Sequence, residues 1–159
     1  MNRPEITKML SQRLEKYIDL HNDPRIYWAK EVTFDYATDH SIRVDYMRFK
    51  PVNNSVGGIE KGDFYCYEIK SSVEDFHSKN GHNFIGDLNY YIMTEELYNS
   101  VKREIPFHVG VLVPHYDSLK VKKIVRRVNR NRPVSEMLLM MWRSSRREII
   151  SAKRRNLDV

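Results

Sequence analysis

Residues 64–70, FYCYEIK, restrict what this chain can become more than any other stretch. Side chains on a strand alternate between faces. Here Phe64, Tyr65, Cys66, Tyr67 and Ile69 put apolar or aromatic groups on both faces. Such a strand is covered on both sides, as in the middle of an α/β sheet, and is not an exposed edge. Glu68 and Lys70 fall on one face, about 7 Å apart along the strand. An acid and a base are costly to bury without a partner or a task. As an exposed cross-strand pair they would contribute only about 0.2–1 kcal/mol, too little to account for their place in a central strand.

The flanking segments predict a sheet for this strand to sit in. Pro4 and EITKMLSQRLEKYIDL read as a helix, with Ile6, Met9, Leu10, Leu14, Tyr17 and Ile18 on one stripe. HNDPR ends it, and IYWAKEVTFDYA, rich in aromatic and β-branched residues, is a first strand. SIRVDYMRFK is a second, with Ile42, Val44, Tyr46 and Arg48 expected on one face and Arg43, Asp45, Met47 and Phe49 on the other. PVNNSVGGIEKG reads as a loop, and the short connections predict an antiparallel meander of three strands. Beyond Ser72 the pattern loosens into polar and glycine punctuation, with a helical turn near Val73 to His77 and a short strand, LNYYIMT. TEELYNSVKREI is a helix with Thr94 as N-cap and Pro106 as its stop, and FHVGVLVPH is a buried strand. This strand–helix–strand run predicts a right-handed parallel crossover. SLKVKKIVRRV alternates like an edge strand, and PVSEMLLMMWRSSRREIISAKRR is a closing helix. The expected fold is α/β, a mixed sheet flanked by helices. It forms one domain over residues 1–159, with a basic C-terminal strand and helix at about 119–155.

Composition narrows the partners. The chain has a net charge of +6 and a pI near 9.4, which favours an acidic partner such as DNA or another nucleic acid. Thirteen Lys or Arg against two acids lie between Lys120 and Arg155, so the remainder is acidic overall. The lone cysteine, Cys66, has no internal disulfide partner, which agrees with a reducing, cytoplasmic setting. The N-terminus lacks the apolar core of a signal peptide, and no run of about 18 apolar residues predicts a membrane span.

If the second and third strands pair, Asp45 and Glu68 converge at one end of the sheet. Two carboxylates with a backbone oxygen, that of Ile69, and waters are hard ligands suited to Mg²⁺ or Mn²⁺. Such an ion polarises a phosphate and lowers the pKa of bound water. A neighbouring lysine, Lys70, orients that water or stabilises developing charge. The spacing D-x(22)-E-x-K thus makes sense for phosphodiester hydrolysis.

These residues, RVDYM followed by CYEIKSS and EDF, resemble the PD-(D/E)XK nuclease superfamily with its restriction-endonuclease-like fold. Asp45 matches the first acid and Glu68-Ile69-Lys70 the E-x-K element. The continuation Ser71-Ser72 with Asp75-Phe76 is similar to the MmcB-like branch, associated with DNA repair and found in bacterial and phage relatives. The resemblance spans roughly residues 28 to 114. Val44 stands where many relatives have proline. It implies a metal-dependent DNA nuclease. A third acid is expected at Glu31, in WAKEVTF, with Glu15 on the first helix as second choice. The rival expectation is a non-catalytic nucleic-acid-binding or partner-binding protein on the same fold.

The remaining candidates have plainer roles to weigh. Ser72 and Asp75 are common caps. Lys79, His82 and Asp87 lie in a polar loop after the site and are placed to contact DNA. His77 and His82, with no cysteine partner, do not form a zinc pattern. Tyr90 and Tyr91 fit a core better than a stacking platform. Arg126, Arg127, Arg130, Arg132, Arg143, Arg146 and Arg147 form the expected phosphate-binding cluster. The Met137–Met141 stripe with Leu138, Leu139 and Trp142 is expected to pack in the core or form the face of a homodimer.

Overall fold

A computed structural model describes residues 1–157. Its elements, in chain order, are α1 (Arg3–Ile18), β1 (Tyr27–Phe34), β2 (Ile42–Lys50), α2 (Val56–Glu60), β3 (Asp63–Ile69), α3 (Val73–His77), β4 (Leu88–Ile92), α4 (Glu95–Val101), β5 (Gly110–His115), β6 (Ser118–Lys123) and α5 (Val134–Leu157), with a 3₁₀ turn at Lys102–Glu104. The six strands form one sheet in the order β1-β2-β3-β4-β5-β6. β1, β2 and β3 make the expected antiparallel meander. β3, β4 and β5 run parallel, and β6 returns antiparallel as the far edge. The fold is α/β, with a mixed sheet and helices on both faces, and β3 is central as its two-faced apolar pattern requires.

The first four α-helices start where the sequence offers a cap. Asn2 and Glu5 form a reciprocal capping box on α1, and Ser72 and Thr94 cap α3 and α4. Leu10, Leu14 and Ile18 press α1 onto Tyr46, Tyr67, Ile69, Ile92 and Leu112 on one face of the sheet. Val134, Met137 and Met141 of α5 pack the other face against Val32, Phe34, Val44, Met47, Phe49 and Phe64. α3 and α4 cover β4 and β5 through Phe76, Leu97 and Val101. The stretch 52–60 reads as loop in sequence but contains α2, started by Ser55 accepting from Gly58 N–H. A five-residue helix is too short to show periodicity.

The regular alternation expected of β2 does not hold. Val44 and Met47 both face α5, and so do Ala29 and Val32 in β1. Alternation slips in both strands at the same level, Glu31 in β1 and Asp45 in β2. The ladder pairs Lys30 with Tyr46 and Val32 with Val44, passing over the rung between them. Glu31 has φ +53°, the left-handed region costly for a residue with a Cβ. α5 takes up the carbonyls at this break: the Ser144 hydroxyl donates to Lys30 O, and Arg147 Nη2 to Glu31 O at 3.0 Å.

Residues 124–133 do not prolong β6. They form a strap crossing the sheet, fastened by arginines. Arg127 pairs with Asp63 through both nitrogens, at 2.5 and 2.8 Å. Arg130 Nε reaches Asp87 at 3.1 Å over the Phe64 ring. Arg132 holds Asp35 at 2.9 Å and Glu136 at 2.5 Å over the Phe34 ring. Of these pairs, Arg130–Asp87 is the most enclosed, its side chains 13% and 11% exposed. Asp87→Ala would leave that guanidinium and the Phe64 N–H without their acceptor. Urea denaturation should show a loss of about 3 kcal/mol or more for Asp87→Ala, and under about 1 kcal/mol for Arg127→Ala, whose pair is exposed.

Candidate active site

Continuing the β2–β3 register one rung past Tyr46–Tyr67 sets Asp45 opposite Glu68. Cross-strand neighbours of this kind have Cβ atoms about 4.5–5.5 Å apart. The next pairing along the same row joins Glu68 to Tyr91. Asp45 Oδ2 accepts the Ile69 N–H at 2.8 Å. Glu68 is 1% exposed; its Oε1 accepts from Asn83 Nδ2 at 3.1 Å, while its Oε2 is buried with no hydrogen-bond partner. Burial, then the adjacent Asp45 charge, pushes the Glu68 carboxyl up to about 8. Burial also raises Asp45, against the opposing pull of the Ile69 N–H.

Lys70 is 2% exposed and follows directly on the last residue of β3. Its ammonium donates to Asn80 O at 2.8 Å, and burial lowers its pKa against the pull of Asp75, Glu68 and Asp45. The chain turns at once after it. Ser72 Oγ caps α3 by accepting from Asp75 N–H, and Asp75 Oδ2 accepts from the Ser71 N–H at 2.9 Å. Asp75 thus both caps the turn and holds Arg3 of α1, at 3.0 Å. Gly81 closes the roof over the pair. With φ +76°, it lies where a Cβ would stand 2.5 Å from Lys70 Nζ and 3.5 Å from Glu68 Oε2.

Asp45 and Lys70 lie on the floor of a cleft of about 1470 Å³, between α1 and the C-terminal half of α5. Arg3, Lys8, Lys30, Arg43, Lys79 and Arg155 line it. Glu31 and Glu15 also line it. Neither joins the carboxylate pair: among the described residues no three His, Cys, Asp or Glu side chains are grouped to hold a metal. Glu15 instead accepts from the Tyr46 hydroxyl at 2.8 Å.

Of the expected phosphate contacts, Lys79 reaches the cleft. Arg127, Arg130 and Arg132 are tied to carboxylates in the strap, Arg126 stacks on Phe107 at 5.5 Å, and Arg147 holds the Glu31 carbonyl. Arg143 and Arg146 are exposed on α5 and do not line the cleft. Asp87, expected near DNA, is instead a buried acceptor for Phe64 N–H and Arg130 at the opposite end of β3. His82 is held between Tyr91 OH and Ser78 O, and His77 meets Glu104. Tyr91 is core and Tyr90 stacks on Tyr67. Arg3, Arg43, Asn83, Lys8 and Arg155 were not singled out from sequence. The Asn80-Gly81 pair is the turn signal in sequence that marks the roof.

No protein-family model matches the chain, and no curated protein matches it. A solved structure, the SPO1766 protein of unknown function from Silicibacter pomeroyi, is similar over 97% of this chain and 92% of that one. The TM-score is 0.60 and the identity 16%. At that identity the likeness shows the shared α/β fold. No helix among the described residues is long and apolar enough to cross a membrane.

Glu68 makes stability depend on pH. A carboxyl raised from 4.5 to about 8 on folding stabilises the fold most fully below pH 4.5. That contribution is lost as pH rises toward 8, because the unfolded chain ionises first. With EDTA present, Glu68→Gln should gain Tm over the wild type between pH 5 and pH 8, by roughly 4 °C or more. A difference that stays flat with pH would show that Glu68 is not held in this state.

Proposed function

We propose that this protein is a metal-dependent phosphodiesterase acting on DNA, a nuclease of the PD-(D/E)XK type on a restriction-endonuclease-like fold. The observation that carries the proposal is Asp45, on the floor of the cleft, standing opposite Glu68, whose Oε2 is buried and unpaired.

The donor set fits a hard divalent cation. Two carboxylates and the Ile69 carbonyl leave an octahedral ion several positions for water, as Mg²⁺ and Mn²⁺ prefer. The orphaned Glu68 oxygen is the kind of atom a cation satisfies. When bound, such an ion supplies Lewis-acid polarisation of a phosphate oxygen and a lowered pKa for water. Lys70, fastened by Asn80 O, is the side chain to orient the attacking water or meet developing charge. Arg43, Lys79, Lys8 and Arg155 are the side chains to hold the phosphodiester backbone. The alternative, a nucleic-acid-binding or partner-binding protein without catalysis, draws on the absence of a third grouped acid among the described residues.

Asp45→Ala and Lys70→Ala should each reduce Mn²⁺-dependent cleavage of a panel of single-stranded, duplex, flap and junction DNAs by about 10²-fold or more. Both variants should still bind DNA with a steep salt dependence. Calorimetric heat of Mn²⁺ binding should vanish in Asp45→Ala. DNA binding without any Mn²⁺ heat or cleavage in the wild type would favour the non-catalytic alternative.

A further inference from the structure

A second concave surface lies at the other end of β1, about four rungs or roughly 13 Å along the strands from Asp45. It is a groove of about 410 Å³ whose walls include Ile26, Phe49, Pro51, Ile59, Leu138 and Trp142. On α5 its apolar wall continues as a stripe: Leu138, Trp142, Ser145 and Ile149 recur at spacings of four, three and four, one helix face about 17 Å long. Trp142 is 62% exposed and Ile149 44%. Exposed apolar surface continuous with a groove marks a place where something docks.

We propose that this groove docks an acidic, amphipathic segment of a partner protein, with one bulky apolar side chain as the anchor. The charge beside the stripe selects the partner. Arg146 stands one turn beyond Trp142 and Lys153 one turn beyond Ile149, on the same side of α5. The two acids of that helix are engaged elsewhere, Glu136 by Arg132 and Glu148 by Lys30. Across the groove, Glu60 and Lys61 follow Ile59 and offset each other. The net field along the groove is therefore positive, and acids flanking an apolar anchor complement it.

Two other occupants fit less well. A two-fold copy laid on the stripe would set Arg146, near its middle, against its own counterpart. A nucleobase would bring several edge donors and acceptors into walls that are mainly apolar, whose polar groups are Asn54, Ser145, the Tyr27 hydroxyl and the Trp142 indole N–H, because the Trp28 indole N–H is turned to Asp19.

A random dodecapeptide library displayed on phage, selected on the wild-type chain and counter-selected on Trp142→Ala, tests this. Selected peptides should share a Trp, Phe or Leu flanked by Asp or Glu. In fluorescence anisotropy, Trp142→Ala and the double variant Arg146→Glu with Lys153→Glu should each weaken them about tenfold or more. Circular dichroism checks that both variants fold. Asp45→Ala should bind the peptides like the wild type, whatever becomes of the nuclease proposal. No enrichment over Trp142→Ala, or peptides indifferent to the charge reversal, would overturn the inference. So would light scattering that finds a dimer abolished by Trp142→Ala. A single-stranded oligonucleotide that shields Trp142 from quenching better than any selected peptide would overturn it too.

Discussion

Everything at the candidate site depends on one break in regular pleating, at the row that runs through Glu31, Asp45 and Glu68. A sheet that alternates perfectly would send Val44 and Met47 to opposite faces. Here both face α5, as do Ala29 and Val32 in the neighbouring strand. The chain accommodates this by giving Glu31 a left-handed φ of +53° and by leaving its rung with Asp45 unladdered. Strain of that kind costs on the order of 1–3 kcal/mol and persists only where the surroundings enforce it. α5 does the enforcing, with Ser144 and Arg147 bonding the two carbonyls beside the break. The result is a ladder with one rung missing, and Asp45 lies at that rung.

Beside that break the protein buries a glutamate with one oxygen satisfied by Asn83 and the other by nothing. A core under selection for stability alone does not retain such an atom, because an unpaired buried polar group costs about 1–3 kcal/mol. The local structure holds it in place from several directions. Tyr91 flanks it in the row, Gly81 roofs it with bare backbone, and the Ser71–Asp75 turn fixes the end of its strand. Arg3 ties α1 to that same turn. Strand, turn, roof and helix all converge on a carboxyl that burial pushes up to about 8.

What the sequence revealed follows the range over which each signal acts. The two-faced apolar pattern of FYCYEIK placed β3 in the centre, and spacing alone brought Asp45 to Glu68. Caps at Ser72 and Thr94 were legible because a cap is read within four residues. The slip leaves a trace in β2, where the apolar residues change phase between Tyr46 and Met47, but nothing local ties that change to Glu31 in the neighbouring strand. The arginine strap misled for a related reason. Arg127, Arg130 and Arg132 lie close together and look like a phosphate-binding run. Their partners Asp63, Asp87 and Asp35 are 43 to 97 positions away, and composition cannot show that pairing.

That reassignment changes where the protein's positive charge can act. Arginines fixed to carboxylates over Phe64 and Phe34 serve as struts: they bind the strap to the sheet and position the start of α5. Three of the cations left on α5 border one or other of two surfaces. Arg155 shares the cleft wall with the Asp45–Glu68 row. Arg146 and Lys153 border the stripe that carries Trp142. A helix of 24 residues with a 3.6-residue period presents both faces at once. The strap that sets where this helix begins therefore fixes the orientation of both surfaces together, and a change that rotated α5 would move the cleft wall and the Trp142 groove in concert.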